Sequence, residues 1–116
     1  MKKPVVHFEI GCNNISETVE FYKDVFNWNI VPIGNSAAID TGKDGGIPGH
    51  INKLGPTEPQ NYINIYIETA TLEDDLKLIE SRGGKKLVGP IDLPDGRIFA
   101  WFQDIAGNTV GLITPK

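Results

Sequence analysis

The chain has 116 residues, of which 40% are apolar and 22% charged, and its formal net charge is −4. This length can bury the core of one domain, and the single cysteine, Cys12, excludes an intrachain disulfide. The negative charge and the lack of any basic cluster argue against nucleic acid or an anionic membrane as partner. His7 and Glu9 interrupt the first apolar stretch, which excludes a secretory signal or a membrane span and favours a cytoplasmic location.

The first half of the chain is predicted to form a strand, a helix and three more strands. Residues 5–10 are rich in branched and aromatic side chains, as in a strand. Asn14 with Glu17 three residues later is a capping-box pattern, and Asn27 tolerates the left-handed conformation that ends helices. Apolar residues between them recur at helical spacing: Ile15, Val19, Tyr22 and Phe26. The strand-like runs that follow are residues 28–33, 37–41 and 47–52.

The second half repeats this order after a turn-rich linker at residues 53–60. Residues 62–68 alternate, with isoleucines on one face and polar or aromatic side chains on the other. Thr71 is predicted to cap a second helix that ends at the glycine pair 83–84. Three further strands are predicted, with turns at "LPDG" and "DIAGN" between them: residues 86–89 or slightly beyond, 97–103 and 108–114.

A two-fold internal repeat follows from this order. Each repeat has the order βαβββ, over about residues 4–53 and 61–114, and the helix ends lie 83 − 27 = 56 residues apart. A repeat of whole supersecondary units implies that neither half buries its apolar face alone. We therefore expect one α+β domain over residues 1–116.

Three segments of the sequence carry a family resemblance: "FYKDVFNW" at residues 21–28, "GGIPGHI" at 45–51 and "DIAGNTVGL" at 104–112. Together with the tandem βαβββ order, they resemble the vicinal oxygen chelate superfamily. That superfamily includes glyoxalase I, extradiol dioxygenases, and the fosfomycin- and bleomycin-resistance proteins. The resemblance covers essentially the whole chain and implies a glyoxalase-like fold, a curved eight-stranded cup around one small-molecule site.

The resemblance also implies where a metal would bind. Metal-dependent members place ligands on the first, fourth, fifth and eighth strands, which here correspond to His7, a position near His50, Tyr62 and Gly111. A catalytic divalent ion needs about three ligands, mostly imidazole or carboxylate. The tyrosine at position 62 is a poor metal ligand, and the glycine at position 111 has no side chain that could bind a metal. We therefore expect no catalytic metal, and we expect Gly111 to leave space for part of an organic ligand.

The remaining site residues are predicted from the faces of the strands. Glu9 shares a face with His7, and a nearby carboxylate would raise the imidazole pKa and make the two an acid–base couple; the alternative is a structural histidine. Asn64 and Tyr66 either line the cup or form the wet side of a sheet. Trp101 is either an aromatic platform for a ligand or a core residue. The predicted ligand-binding residues are His7, Glu9, His50, Tyr62, Asn64, Tyr66, Trp101 and Gly111.

Three functions remain open at this stage. The first is a glyoxalase- or bleomycin-resistance-like protein that binds a small organic molecule without a cofactor. The second is a metal-dependent lyase, isomerase, epimerase or dioxygenase, in which His7, His50 and Glu9 hold a divalent metal. The third is an accessory module whose cup is filled by its own side chains. Members of the superfamily commonly form dimers, and unpaired sheet edges favour association with a second chain. We therefore expect a homodimer under each of the three hypotheses.

Overall fold

The computed structural model describes residues 2–42, 45–57 and 61–116. Within these residues the order βαβββ occurs twice, as the sequence predicts. The elements are β1 (Val5–Cys12), α1 (Ile15–Phe26), β2 (Asn29–Ile33), β3 (Ser36–Asp40), β4 (Gly49–Lys53), β5 (Tyr62–Glu68), α2 (Leu72–Ser81), β6 (Lys85–Asp92), β7 (Ile98–Gln103) and β8 (Thr109–Ile113). Residues 43–44 of a predicted break and 58–60 of the predicted linker lie outside the described part.

The chain forms two compact units, which we call the first unit (His7–Asn64) and the second unit (Met1–Val6 with Ile65–Lys116). In the first unit the strand order is β2-β3-β4-β1, and β1 runs parallel to β4 with Glu9 opposite His50. β3 is antiparallel to both of its neighbours. This parallel pairing of the first and last strands fixes which side chains of β1 and β4 stand next to each other.

Helix α1 begins and ends as its sequence predicts. The Asn14 side chain accepts a hydrogen bond from the backbone N–H of Glu17 (3.0 Å), and Asn27 adopts a left-handed φ of 58° just past the helix. The predicted apolar face meets the strands through Val19, which is buried, whereas Phe26 is half exposed. The buried core of the first unit consists of Ile10, Cys12, Val19, Ile30, Ala37, Ile39 and Ile51.

The second unit repeats this arrangement with the order β5-β8-β7-β6. β5 and β8 are parallel, and Tyr66 lies opposite Gly111. β7 presents Ala100 and Phe102 to α2, as the alternation of that strand predicts. The buried core consists of Leu72, Leu76, Ala100, Phe102 and Leu112.

The predicted side-chain cap of α2 is wrong. Thr71 does precede the helix, but its side chain makes no capping hydrogen bond; instead its backbone N–H donates to the Thr69 hydroxyl (3.1 Å). Asp75 accepts from Lys3 (2.7 Å) and from Thr69 (2.5 Å). Burial raises the pKa of the Asp75 carboxyl, but hydrogen bonds from Lys3, Thr69 and Thr71 outweigh burial and leave that pKa below its usual value.

The other differences from the predicted elements lie at strand ends. β1 extends two residues further than predicted, β4 begins two residues later, and β6 runs through Lys85–Asp92 with register shifts against β7. Such irregularities follow from contacts with neighbouring strands, which the local sequence does not encode. In the described residues, neither helix is long and apolar enough to cross a membrane.

Candidate functional site

The first unit assembles a polar cluster that we call the His–Glu–Tyr cluster, made of His7, Glu9, His50 and Tyr62. Residues 7 and 9 alternate onto the same face of β1, and the parallel pairing with β4 sets His50 opposite Glu9. Tyr62, at the start of β5, reaches the same carboxylate. The structure thus brings together four residues that the sequence analysis predicted as ligand-binding.

Hydrogen bonds and one close histidine–carboxylate contact connect the members of this cluster one after another. His7 Nε2 and His50 Nδ1 are 2.7 Å apart, so one ring donates its N–H and the other accepts. His50 Nε2 lies 3.6 Å from Glu9 Oε1, and the Tyr62 hydroxyl donates to Glu9 Oε2. Asn52 Nδ2 donates in turn to the Tyr62 oxygen (3.4 Å). The two imidazoles, the carboxylate and the phenol therefore form one polar chain.

The burial of Glu9 determines the electrostatics of the cluster. Its side chain is only 3% exposed, and a buried carboxylate is costly unless hydrogen bonds and positive charge compensate it. The Tyr62 hydroxyl supplies a hydrogen bond, and the His50 ring, which is about 30% exposed, lies 3.6 Å from the carboxylate. These polar groups can donate and accept hydrogen bonds, as polar recognition or general acid–base chemistry requires.

The donor set of the cluster fits a metal poorly. A metal-binding imidazole nitrogen needs a free lone pair, but the lone pair at the His7–His50 contact already accepts a hydrogen bond. Within the described residues, no three His, Cys, Asp or Glu side chains are grouped so as to hold a metal ion. A metal that used these two nitrogens would have to separate the two histidines first.

The second unit holds another group of predicted residues, Tyr66, Trp101 and Gly111. Gly111 lies opposite Tyr66 on β5 and opposite Trp101 on β7. Trp101 Nε1 donates to the Tyr66 hydroxyl (2.8 Å), and the Phe99 ring meets the edge of the Tyr66 ring. These aromatic side chains therefore pack as one hydrogen-bonded group.

The prediction that Gly111 leaves space for a ligand is wrong. A Cβ atom placed on Gly111 would overlap the ring of Tyr66, so the ring already occupies the space beside the backbone. Gly111 is thus required for the close approach of an aromatic side chain. In the first unit Gly11, which the sequence analysis did not single out, lies beneath the Tyr62 ring in the same way. The only sequence signal for Gly11 is a glycine at the end of a strand.

The structure covers the polar face of β5 and exposes part of the apolar face. Asn64 is 2% and Tyr66 6% exposed, whereas Ile63 on the opposite face is 72% exposed. The alternative that Asn64 and Tyr66 form the solvent-exposed side of the sheet is therefore wrong. Among the residues that the structure describes, the amide nitrogen and oxygen of Asn64 have no hydrogen-bond partner.

With this geometry established, comparison with known proteins assigns the family. The model of the Glyoxalase/Bleomycin resistance protein/Dioxygenase superfamily matches residues 5–112. The chain belongs to this superfamily. No curated protein matched the sequence.

Several solved structures have a similar fold over nearly the whole chain. Hypothetical protein BH1468 from Bacillus halodurans C-125 has a TM-score of 0.75 at 14% identity, over 100% of this chain and 96% of that one. Methylmalonyl-CoA epimerase of Streptomyces coelicolor, in complex with 2-nitronate-propionyl-CoA, has a TM-score of 0.70 at 19% identity, over 98% and 95%. The epimerase from Mycobacterium tuberculosis has a TM-score of 0.72 at 13% identity, over 97% and 87%. These similarities confirm the predicted fold class. At identities of 13–19% they show the fold and do not bear on function.

Proposed function

We propose that this superfamily member binds a small organic molecule at the His–Glu–Tyr cluster without a catalytic metal. One observation carries the proposal: His7 Nε2 and His50 Nδ1 are hydrogen-bonded to each other, so one ring nitrogen of each histidine is already engaged. The eighth-strand position adds no donor, since Gly111 lies under the Tyr66 ring. Polar groups in a largely buried setting are what a small-molecule site uses to orient its ligand.

Metal analysis of protein purified without chelator tests this proposal. We expect substoichiometric zinc, nickel, manganese and iron, and unchanged binding of organic ligands after EDTA treatment. Ligands are found by screening aromatic and heterocyclic fragments against the metal-free protein and following the ring signals of His7 and His50 by NMR. A stoichiometric metal whose removal by chelator abolishes binding would refute the proposal.

A metal-dependent lyase, isomerase or dioxygenase is the second candidate function. It is favoured by the proximity of His7, His50 and Glu9, which together offer two imidazoles and a carboxylate. The His7→Ala variant separates the two candidates, because it removes one of three ligands. Loss of bound metal and activity together in this variant would establish the enzyme, and full metal retention would exclude this ligand set.

We also propose that two copies of the chain pair. Several large apolar side chains are exposed, among them Ile63 and, on the outer strand β2 of the first unit, Val31 and Ile33. Exposed apolar side chains on a sheet edge favour association with another chain. Sedimentation at micromolar concentration is expected to give the mass of a dimer, and a monomer under those conditions contradicts the proposal.

A further inference from the structure

Asn64 is a buried amide whose hydrogen-bonding groups are unmatched. Its side chain is 2% exposed, and within the described residues both its Nδ2 and its Oδ1 lack a hydrogen-bond partner. An unpaired buried donor or acceptor costs free energy, and Asn64 carries one of each. A leucine has the same branching and the same number of side-chain heavy atoms and would not carry that cost. The chain therefore holds an amide where stability alone favours an apolar side chain.

The position of Asn64 connects it to the proposed site. Residues 62 and 64 alternate onto the same face of β5, and Tyr62 on that face donates to the buried Glu9. Both residues belong to the first unit. An unmatched amide beside a satisfied polar cluster is typical of a residue that completes its hydrogen bonds with a ligand, since functional residues often cost stability in the empty protein.

We propose that Asn64 recognises a neutral ligand group that carries a hydrogen-bond donor and an acceptor side by side, of the carboxamide or lactam type. This inference rests on the proposed binding function and adds the class of ligand. The amide of Asn64 offers an N–H and a C=O in one plane, and a cis-amide matches them with two parallel hydrogen bonds. The buried carboxyl of Glu9 on the same polar surface disfavours a carboxylate ligand, because two carboxyl groups close together in a buried setting repel when both are ionised.

The first test measures the stability of the empty protein. Replacing Asn64 with leucine is expected to raise Tm by about 3–6 °C, because it removes unmatched polar atoms from a buried position. The control is the same substitution at a hydrogen-bonded asparagine: Asn14→Leu removes the acceptor of the hydrogen bond from the Glu17 N–H and is expected to lower Tm by a similar amount. A Tm of Asn64→Leu at or below that of the wild type overturns the inference, since water or a second copy must then satisfy the amide.

The second test uses two probes that differ only at the donor. 2-Pyrrolidinone presents N–H and C=O together, and N-methyl-2-pyrrolidinone has the same carbonyl and no donor. Titrations followed by the Asn64 side-chain NMR signals are expected to show about fivefold tighter binding of 2-pyrrolidinone, as one added hydrogen bond predicts. In Asn64→Leu, titrations followed by the His7 and His50 ring signals should show no such preference.

The outcomes separate this inference from the proposed function. Equal affinity for the two lactams, or a preference that persists in Asn64→Leu, overturns the role of Asn64 and leaves ligand binding at the His–Glu–Tyr cluster standing. A stoichiometric metal refutes the proposed function even where Asn64→Leu raises Tm. Failure of 2-pyrrolidinone to shift the Asn64 signals also overturns the inference, because the buried amide is then closed to a ligand group of this type.

Discussion

Replacing Glu9 with alanine is expected to lower the free energy of unfolding by about 2–4 kcal/mol. The Glu9 carboxylate is 3% exposed and accepts the hydrogen bond of Tyr62, while His50 Nε2 lies 3.6 Å away. Truncation removes the acceptor of a half-buried phenol and leaves the volume of one methylene and a carboxylate unfilled. Urea unfolding of the full chain at pH 7 measures the loss.

A double-mutant cycle with Tyr62→Phe isolates the hydrogen bond from the cavity. Because the acceptor is a carboxylate, we expect a coupling energy of about 1–3 kcal/mol between the two substitutions. Glu9→Gln is the matched control, since it keeps the volume and an acceptor oxygen and should cost less than Glu9→Ala. If the two single effects add to within about 0.5 kcal/mol, the phenol and the carboxylate do not act as a unit.

The cluster around Glu9 also shows where the sequence was informative. Strand alternation alone puts His7 and Glu9 on one face, and this part of the site could be predicted. The position of His50 could not, because it depends on the register of β4 against β1, which the intervening loop controls. The structure resolves this register by setting His50 opposite Glu9.

Local signals predicted the position of both helices but the side-chain cap of α1 alone, for a physical reason. The cap of α1 involves Asn14, Glu17 and Asn27, whose contacts lie within a few residues of each other in sequence. At α2 the Thr71 hydroxyl accepts a hydrogen bond from Lys3, 68 positions away. A contact at that separation arises only in the folded chain, so no local pattern around Thr71 reports it.

Alternation along β5 predicted which residues share a face but not which face is covered. Polarity suggested that the isoleucine face is the buried one, yet Ile63 is exposed and Asn64 is buried. Burial of a polar face requires neighbouring elements to cover it, which is a property of the tertiary arrangement. The same limit applies to Gly111, where the sequence shows a glycine inside a strand but does not show that the Tyr66 ring occupies the space beside it.

Replacing Gly111 with alanine is expected to lower the free energy of unfolding by about 1–3 kcal/mol, and Gly111→Glu by more. The new Cβ atom would overlap the Tyr66 ring, and this ring is held by the hydrogen bond from Trp101 to its hydroxyl (2.8 Å). The ring is also only 6% exposed, so it has little room to move away. Thermal and urea unfolding of the variants measure the cost.

In the Tyr66→Ala background, Gly111→Ala is no longer expected to lower the free energy of unfolding. Tyr66→Ala alone is expected to cost about 3–5 kcal/mol, as removal of a buried aromatic ring does. With the ring absent, Gly111→Ala should become neutral or stabilise by up to about 1 kcal/mol, because alanine restricts the unfolded strand more than glycine. Equal destabilisation by Gly111→Ala in both backgrounds would show that the backbone at residue 111, rather than the Tyr66 ring, requires glycine.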